Sequence, residues 1–269
     1  MLTKDEFNVA VKDALPKLRN TVRKIVGHPD QSEELVQETL ARAWEHFESF
    51  ENTSKFSTWL CAIGVNCAKD FLRQQQRWRS KAQIIYADQC INNPEYGMEV
   101  GRCFGDPAVE FDTKEHIAYC FSCIGRSIDP IQQAALMLKD VLDLTSTEGA
   151  KALGITEPVF RQYLTAARKE MQEKYEGLCS LVNKEGICYQ CAGLRDGFPE
   201  ERKGEWPLEN DKTLSFELRI NIVREANIDT GKTQIMHEVF WKRTETLEKD
   251  QVGDESVEPD CGKGIATEE

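Results

Sequence analysis

No apolar run in these 269 residues approaches the length of a membrane span, so no insertion into a bilayer is expected. The opening residues, Met1-Leu2-Thr3-Lys4-Asp5-Glu6, place acid where a secretion signal needs a basic and then an apolar stretch, and the reading is of a cytoplasmic protein. Strands leave little trace, because alternating apolar and polar runs with hairpin dipeptides are nearly absent. Enzyme motifs are missing too. There is no P-loop, no GxSxG, no HExxH and no glycine-rich dinucleotide motif. His28, His46, His116 and His237 are scattered and form no ligand spacing. The sequence shows no internal repeat, and an enzyme is not expected.

The formal net charge of −12 is at first sight wrong for a nucleic-acid binder. Its distribution changes that. Thr244 to Glu269 holds nine acidic and two basic residues, a local charge of −7, whereas Lys55 to Lys81 holds six basic and one acidic, a local charge of +5. A local field of one sign can serve a polyanion whatever the total. A solvated helix face is the alternative use of such a stripe. The ten cysteines, without a secretory signal, argue against a disulfide scaffold. Cys61 and Cys67 fall inside a periodic helical stretch and read as small core residues.

Helical periodicity dominates the remainder. A helix is expected from near Asp30 or Ser32, with Val36, Leu40, Ala43, Trp44 and Phe47 toward a core. Glu34, Gln37, Glu38, Ala41 and Glu45 form its other, acidic face. After a polar break at 48–54, with Thr53 or Ser54 as cap, a second helix carries Phe56, Trp59, Leu60, Ile63, Cys67 and Phe71 on one face. Asn66, Lys69, Arg73 and Arg77 lie off that face. Breaker residues between Lys81 and Asp112, among them Asn93-Pro94 and Asp106-Pro107, mark an interdomain linker. A second helical block runs from Thr113, with Asp129-Pro130 as a helix start.

Within that block, Thr145 to Met171 has the order helix, glycine turn, capped helix. Thr145 or Ser146 caps a short helix through Leu153, Gly154 turns the chain, and Thr156 caps a helix buried along Phe160, Leu164 and Ala167. This is the helix-turn-helix pattern, with an ordinary helical hairpin as the alternative. Glu157, Arg161 and Gln162 would lie in the first turns of a helix entering a major groove, and Arg168 and Lys169 would meet backbone further on.

Residues 32–44, SEELVQETLARAW, together with FSTWLCAIGVNCAKDFLR from Phe56 to Arg73, closely resemble region two of the extracytoplasmic-function (ECF) bacterial sigma factors. The helix-turn-helix after them matches region four, so the resemblance spans about Leu2 to Glu176. It implies an all-α protein: a region-two domain over 1–80, a flexible linker over 81–112, a region-four helix-turn-helix domain over 113–176, a small helical extension over 177–243 and a disordered acidic tail over 244–269. It implies a non-enzymatic factor that carries core RNA polymerase to promoter DNA and assists melting. Glu34, Gln37, Glu38 and Arg42 take the polymerase-binding role of the family's acidic helix. Lys55, Asn66, Lys69 and Arg73 take the role of holding the non-template strand, and Glu157, Arg161, Gln162 and Arg168 that of binding the upstream element. An anti-sigma regulator is a further partner class. The second helix of the motif departs from the family in being less basic, with Tyr163 and Ala166 where basic residues are common and Pro158 where glycine is common.

The extension resembles that of an ECF subgroup with a second CxxC before the helix-turn-helix, here Cys120 and Cys123. Cys188-x-x-Cys191, after the turn Asn183-Lys184-Glu185-Gly186, has the shape of a zinc knuckle, and Cys179 adds a third thiolate. With Cys120 or Cys123 as the fourth, these residues would hold a structural zinc; no other cofactor is required. A thiol redox switch and buried free thiols stay open beside it. Two amphipathic helices are expected around Asp229-Thr230-Gly231, between Leu214 and Trp241, packing on the second block or binding a regulator. The competing function is a metal- or thiol-sensing helix-turn-helix regulator that works without core polymerase.

Overall fold

The computed structural model describes residues 2–50, 54–74, 113–178 and 216–229. Among them every regular element is helical. The expected linker and acidic tail lie outside the described residues, as do most of the extension and the second of its expected helices.

The first group consists of α1 (Lys4–Val26), α2 (Pro29–His46), a short 3₁₀ turn (Phe47–Ser49) and α3 (Phe56–Gln74). Thr3 opens α1 through a capping box with Glu6, each satisfying the other's backbone N–H. α2 starts at Pro29, one residue before the earliest expected start. Proline is pre-set for a first helical position, and the His28 ring accepts from the Asp30 N–H at 3.2 Å. The core of this group is apolar: Leu18, Val22, Val36, Leu60, Val65 and Leu72 are fully buried.

Two details of this core differ from expectation. The deepest face of α3 is Leu60, Cys61, Gly64, Val65, Cys67, Ala68 and Leu72, whereas Phe56, Trp59, Ile63 and Phe71 are only partly buried. α3 packs on α1 and α2 along one side and on the second group along another, so apolar residues encircle much of it. Trp44 is also not enclosed. It keeps 42% exposure at the rim of an aromatic cluster, 5.4 Å from Phe7 and 5.3 Å from Phe47, with the Lys4 ammonium over its ring.

The second group consists of α4 (Thr113–Gly125), α5 (Pro130–Leu136), which runs on into a π turn (Met137–Val141), α6 (Ser146–Leu153) and α7 (Glu157–Leu178). Asp129 caps α5 by accepting from the Ile131 N–H at 2.9 Å. Thr145 and Glu148 close a capping box on α6. Gly154 then takes φ +67°, a left-handed conformation that side-chain-bearing residues rarely adopt. Phe160 and Ala167 are fully buried and Leu164 nearly so, as expected for the inner stripe of α7. At Gly149 a Cβ would stand 2.4 Å from the Phe160 ring, so the close approach of α6 and α7 depends on a missing side chain.

One helix of the extension is described, α8 (Phe216–Glu225), with the non-helical residues after it. It packs on α4 and on the π turn. The two groups also pack together directly, α1 on α4 and α3 on α5 and α6.

Candidate partner and nucleic-acid surfaces

The outward side of α2 follows from its inner side. Leu35, Val36, Thr39 and Ala43 point inward, which turns Glu34, Gln37, Glu38 and Glu45 to solvent. Arg42, half-buried, donates to Glu38 at 2.5 Å and lies 3.9 Å from Asp70 of α3. Glu33 belongs to the same rim. It takes a two-pronged bond from Arg19 at 3.0 and 3.1 Å, which with a bond from Gln37 outweighs the opposing effect of burial and leaves its carboxyl below the usual range. Arg19 and Arg42 each engage an acid on this surface, yet Glu34 and Glu45 extend the acidic face into water.

The four positions on and before α3 are not equivalent. Lys55 and Arg73 are exposed at its two ends. Asn66 and Lys69 are half-buried and already engaged: Asn66 donates to the Ala152 carbonyl of α6 at 2.7 Å, and Lys69 donates to the Asn66 side chain at 3.1 Å while pairing with Asp70 at 3.4 Å. A cleft of about 270 Å³ lies beside them, between Trp59 and Ile63 of α3 and Leu144, Lys151 and Ala152 of the second group.

On the helix-turn-helix, Arg161 and Gln162 face solvent in the first turns of α7. Glu157 is turned toward α6. Its carboxylate accepts from Thr147 at 2.8 Å and pairs with Arg161, and these contacts hold its pKa below the usual carboxylate range, the Thr147 bond contributing most. Arg168 is committed within the protein. It makes a bidentate pair with Asp140 of the π turn at 2.6 and 2.9 Å, and that hydrogen bonding raises the guanidinium pKa further.

Cys120 and Cys123 are half-buried thiols on α4, and burial pushes the Cys61 and Cys67 thiols up, as fits core residues. Cys179, Cys188 and Cys191 lie outside the described residues. The sequence reading missed Asn20, Tyr119, Asp140, Arg219 and Arg224. Asp140 presents its carboxylate to Arg168 and its carbonyl to Arg224, at 3.1 and 2.6 Å, from one π turn. No local pattern marks these residues, because their partners come from other elements.

Residues 10–78 match the family Sigma-70 region 2. Over 159 residues the chain is 28% identical to the ECF RNA polymerase sigma factor SigG of Mycobacterium tuberculosis, covering 55% of this chain and 43% of that one. Over 175 residues it is 26% identical to the ECF RNA polymerase sigma-E factor of Haemophilus influenzae, covering 65% of this chain and 90% of that one. A solved structure of the sigma factor RpoE in complex with the anti-sigma factor NepR from Bartonella quintana aligns at 22% identity and a TM-score of 0.41, covering 64% of this chain and 96% of that chain. Residues 10–78 are thus similar to sigma-70 region 2, and the chain is similar to extracytoplasmic-function sigma factors, spanning less than half the length of SigG. Among the described residues, no helix is long and apolar enough to cross a membrane.

Proposed function

We infer that this chain is a promoter-recognition subunit of RNA polymerase, a cytoplasmic initiation factor without catalytic activity of its own. The observation that carries this is the outward acidic face of α2, with Glu34, Gln37 and Glu38 exposed, inside the segment that matches sigma-70 region 2. Such a face suits a basic docking surface on the core enzyme, with Arg42 at its edge. Promoter DNA would meet Lys55, Asn66, Lys69 and Arg73 of the first group, and Arg161 and Gln162 of the helix-turn-helix. Glu157 would orient Arg161, and Arg168 would act through Asp140 by setting the angle of α7. In this reading 1–80 and 113–176 are the two working domains, joined through 81–112, and an anti-sigma regulator is a natural further partner. The relatives named above all carry sigma-factor names, and nothing in them favours a regulator that works without polymerase.

The cysteine set fits the same reading. Cys120 and Cys123, three positions apart on α4, share one helix face, and either thiolate can supply one ligand to a tetrahedral ion. Cys179, Cys188 and Cys191 would supply the others. Elemental analysis of the reduced protein tests this part; less than about half an equivalent of zinc counts against it.

The main reading is tested by co-purification with core polymerase. The charge-reversal pair Glu34→Lys and Glu38→Lys should abolish co-purification while leaving helicity unchanged, since both side chains are at the surface. Retained binding would remove this reading of α2.

A further inference from the structure

The segment 216–229 touches both helical groups at once. Toward the first group, Asn20 of α1 uses both ends of its amide: Nδ2 donates to the Ala226 carbonyl at 3.1 Å, and Oδ1 accepts from the Ile228 N–H at 3.0 Å. Toward the second group, the Tyr119 hydroxyl donates to the Ile228 carbonyl at 3.0 Å, Arg224 grips the Asp140 carbonyl, and the Arg219 guanidinium stacks 4.3 Å from the centre of the Tyr175 ring. Val223 and Ile228 are fully buried in the joint.

Beneath this segment, the second group finishes the end of α1. The last carbonyls of a helix have no partner within it. Here Ser122 donates to the Lys24 carbonyl at 2.5 Å, Gln133 to that of Ile25 at 3.2 Å and Arg126 to that of Val26 at 3.3 Å. The same closure brings Ala152 onto Asn66, so the central part of the α3 face is occupied by α6. Charge is concentrated at this seam, where Arg23, Lys24, Arg126 and Arg219 are buried, although the apolar core runs on through it. The hydrogen bonds of the seam can be exchanged for bonds to water, whereas its apolar part favours closure, so the contacts of 216–229 add to a balance that their release can shift.

We propose that residues 216–229 are an autoinhibitory strap, which holds the two helical groups together and keeps the Asn66 face of α3 closed until the strap is released. The proposal rests on the promoter-recognition reading above. It assigns the extension a role in gating, with Asn20 and Arg224 as its two principal fastenings. Release converts a minor open population into the major one and thereby uncovers Asn66 and Lys69 for DNA.

The test uses the full chain with Asn20→Ala and Arg224→Ala together. Amide exchange across 216–229 and α4 should accelerate, and run-off transcription with core polymerase on a genomic fragment library should rise about tenfold, as expected from losing several seam hydrogen bonds. Faster exchange with unchanged transcription would overturn the proposal, because the strap would then be released without consequence. Unchanged exchange would overturn it as well, since these contacts would not be the fastenings. If the double variant loses helicity, Tyr119→Phe, which removes one hydroxyl, takes its place, with about a twofold rise expected and no rise counting against the strap. Failure of the unmodified chain itself to co-purify with core polymerase is a separate result: it overturns the promoter-recognition reading, and the gating role with it.

Discussion

The seam within the first helical group and the seam between the two groups share one apolar core but differ in how many polar side chains reach across them. Inside the first group, Leu18, Val22, Val36, Leu60 and Val65 meet with no exposure to solvent. Between the groups, Ser122, Arg126 and Gln133 reach the carbonyl end of α1, and Asn66 reaches a carbonyl of α6. Apolar burial is lost only by returning that surface to water, at about 25 cal/mol per Å². A hydrogen bond exchanged for one with water costs about 0.5–1.5 kcal/mol net. The joint between the groups thus adds exchangeable hydrogen bonds to a shared apolar core, where the first group relies chiefly on apolar burial.

The strongest way to break this contrast is to cut the apolar seam. Leu60→Ala removes a fully buried side chain where α3 crosses the first group, and should cost about 2–5 kcal/mol. Thermal unfolding followed by circular dichroism should show an early loss attributable to α1–α3, with α4–α7 melting later. A single transition shifted as a whole would mean that the two seams are not separable.

Acidification addresses the polar joint. His116 of α4 is buried, and this burial, with a smaller effect from Arg219 of α8, pushes its pKa from the usual 6.5 down to about 4. Above pH 6.5 the ring is neutral whether enclosed or exposed. Below that, an exposed ring binds a proton that the enclosed ring does not, so the closed form loses stability as pH falls from 6.5 toward 4, by about 3 kcal/mol in total. Lys24 acts in the same direction in another window. Burial pushes its pKa from 10.5 to about 8, so its penalty is full below pH 8 and is relieved as pH rises toward 10.5. The distance between fluorescent labels on α2 and α7 should therefore lengthen between pH 6.5 and 4 while helicity is kept. A constant distance would place His116 in a permanent core.

Gly149→Ala sharpens the comparison within the second group. A Cβ 2.4 Å from the Phe160 ring must push α6 and α7 apart, at about 1–3 kcal/mol. Denaturant unfolding should register the loss in the second group alone, and Phe160→Leu in the same chain should restore part of it. The smallest effect is expected at a cap. Thr145→Ala removes the bond that starts α6 and should cost about 1 kcal/mol. The Glu148 carboxyl, held below its ordinary pKa chiefly by that hydroxyl, should then titrate nearer the usual value, which carbon-detected NMR can follow.

Much of the second group was legible because its signals are local. Asp129-Pro130, Thr145 (one of the two caps expected) and Gly154 act on backbone groups a few residues away, and each sits in the structure where the sequence places it. The inner stripe of α7 was legible for the same reason, since α7 has one buried side. α3 was harder to read. It is buried from two directions, so the periodicity of its apolar residues does not select Leu60 and Val65 over Trp59 and Ile63 as the deepest face. Trp44 looked like a core residue because its spacing suits one, but the aromatic cluster of Phe7 and Phe47 ends there and leaves its outer edge in water.

The candidate surfaces divide along the same line. Glu34, Gln37 and Glu38 are exposed as the amphipathic pattern of α2 demands, and Arg161 and Gln162 are exposed as that of α7 demands. Residue type and spacing also determined the helical class and the turn of the helix-turn-helix, because helix caps, glycine turns and apolar stripes act over one or two turns of chain. Only the tertiary structure decided that Arg168 belongs to Asp140, that Asn66 is taken up by Ala152, and that Asn20 grips a backbone 206 positions away. A long-range hydrogen bond leaves no periodic trace in sequence: any asparagine can make it, and which one does depends on where separately folded helices come to rest.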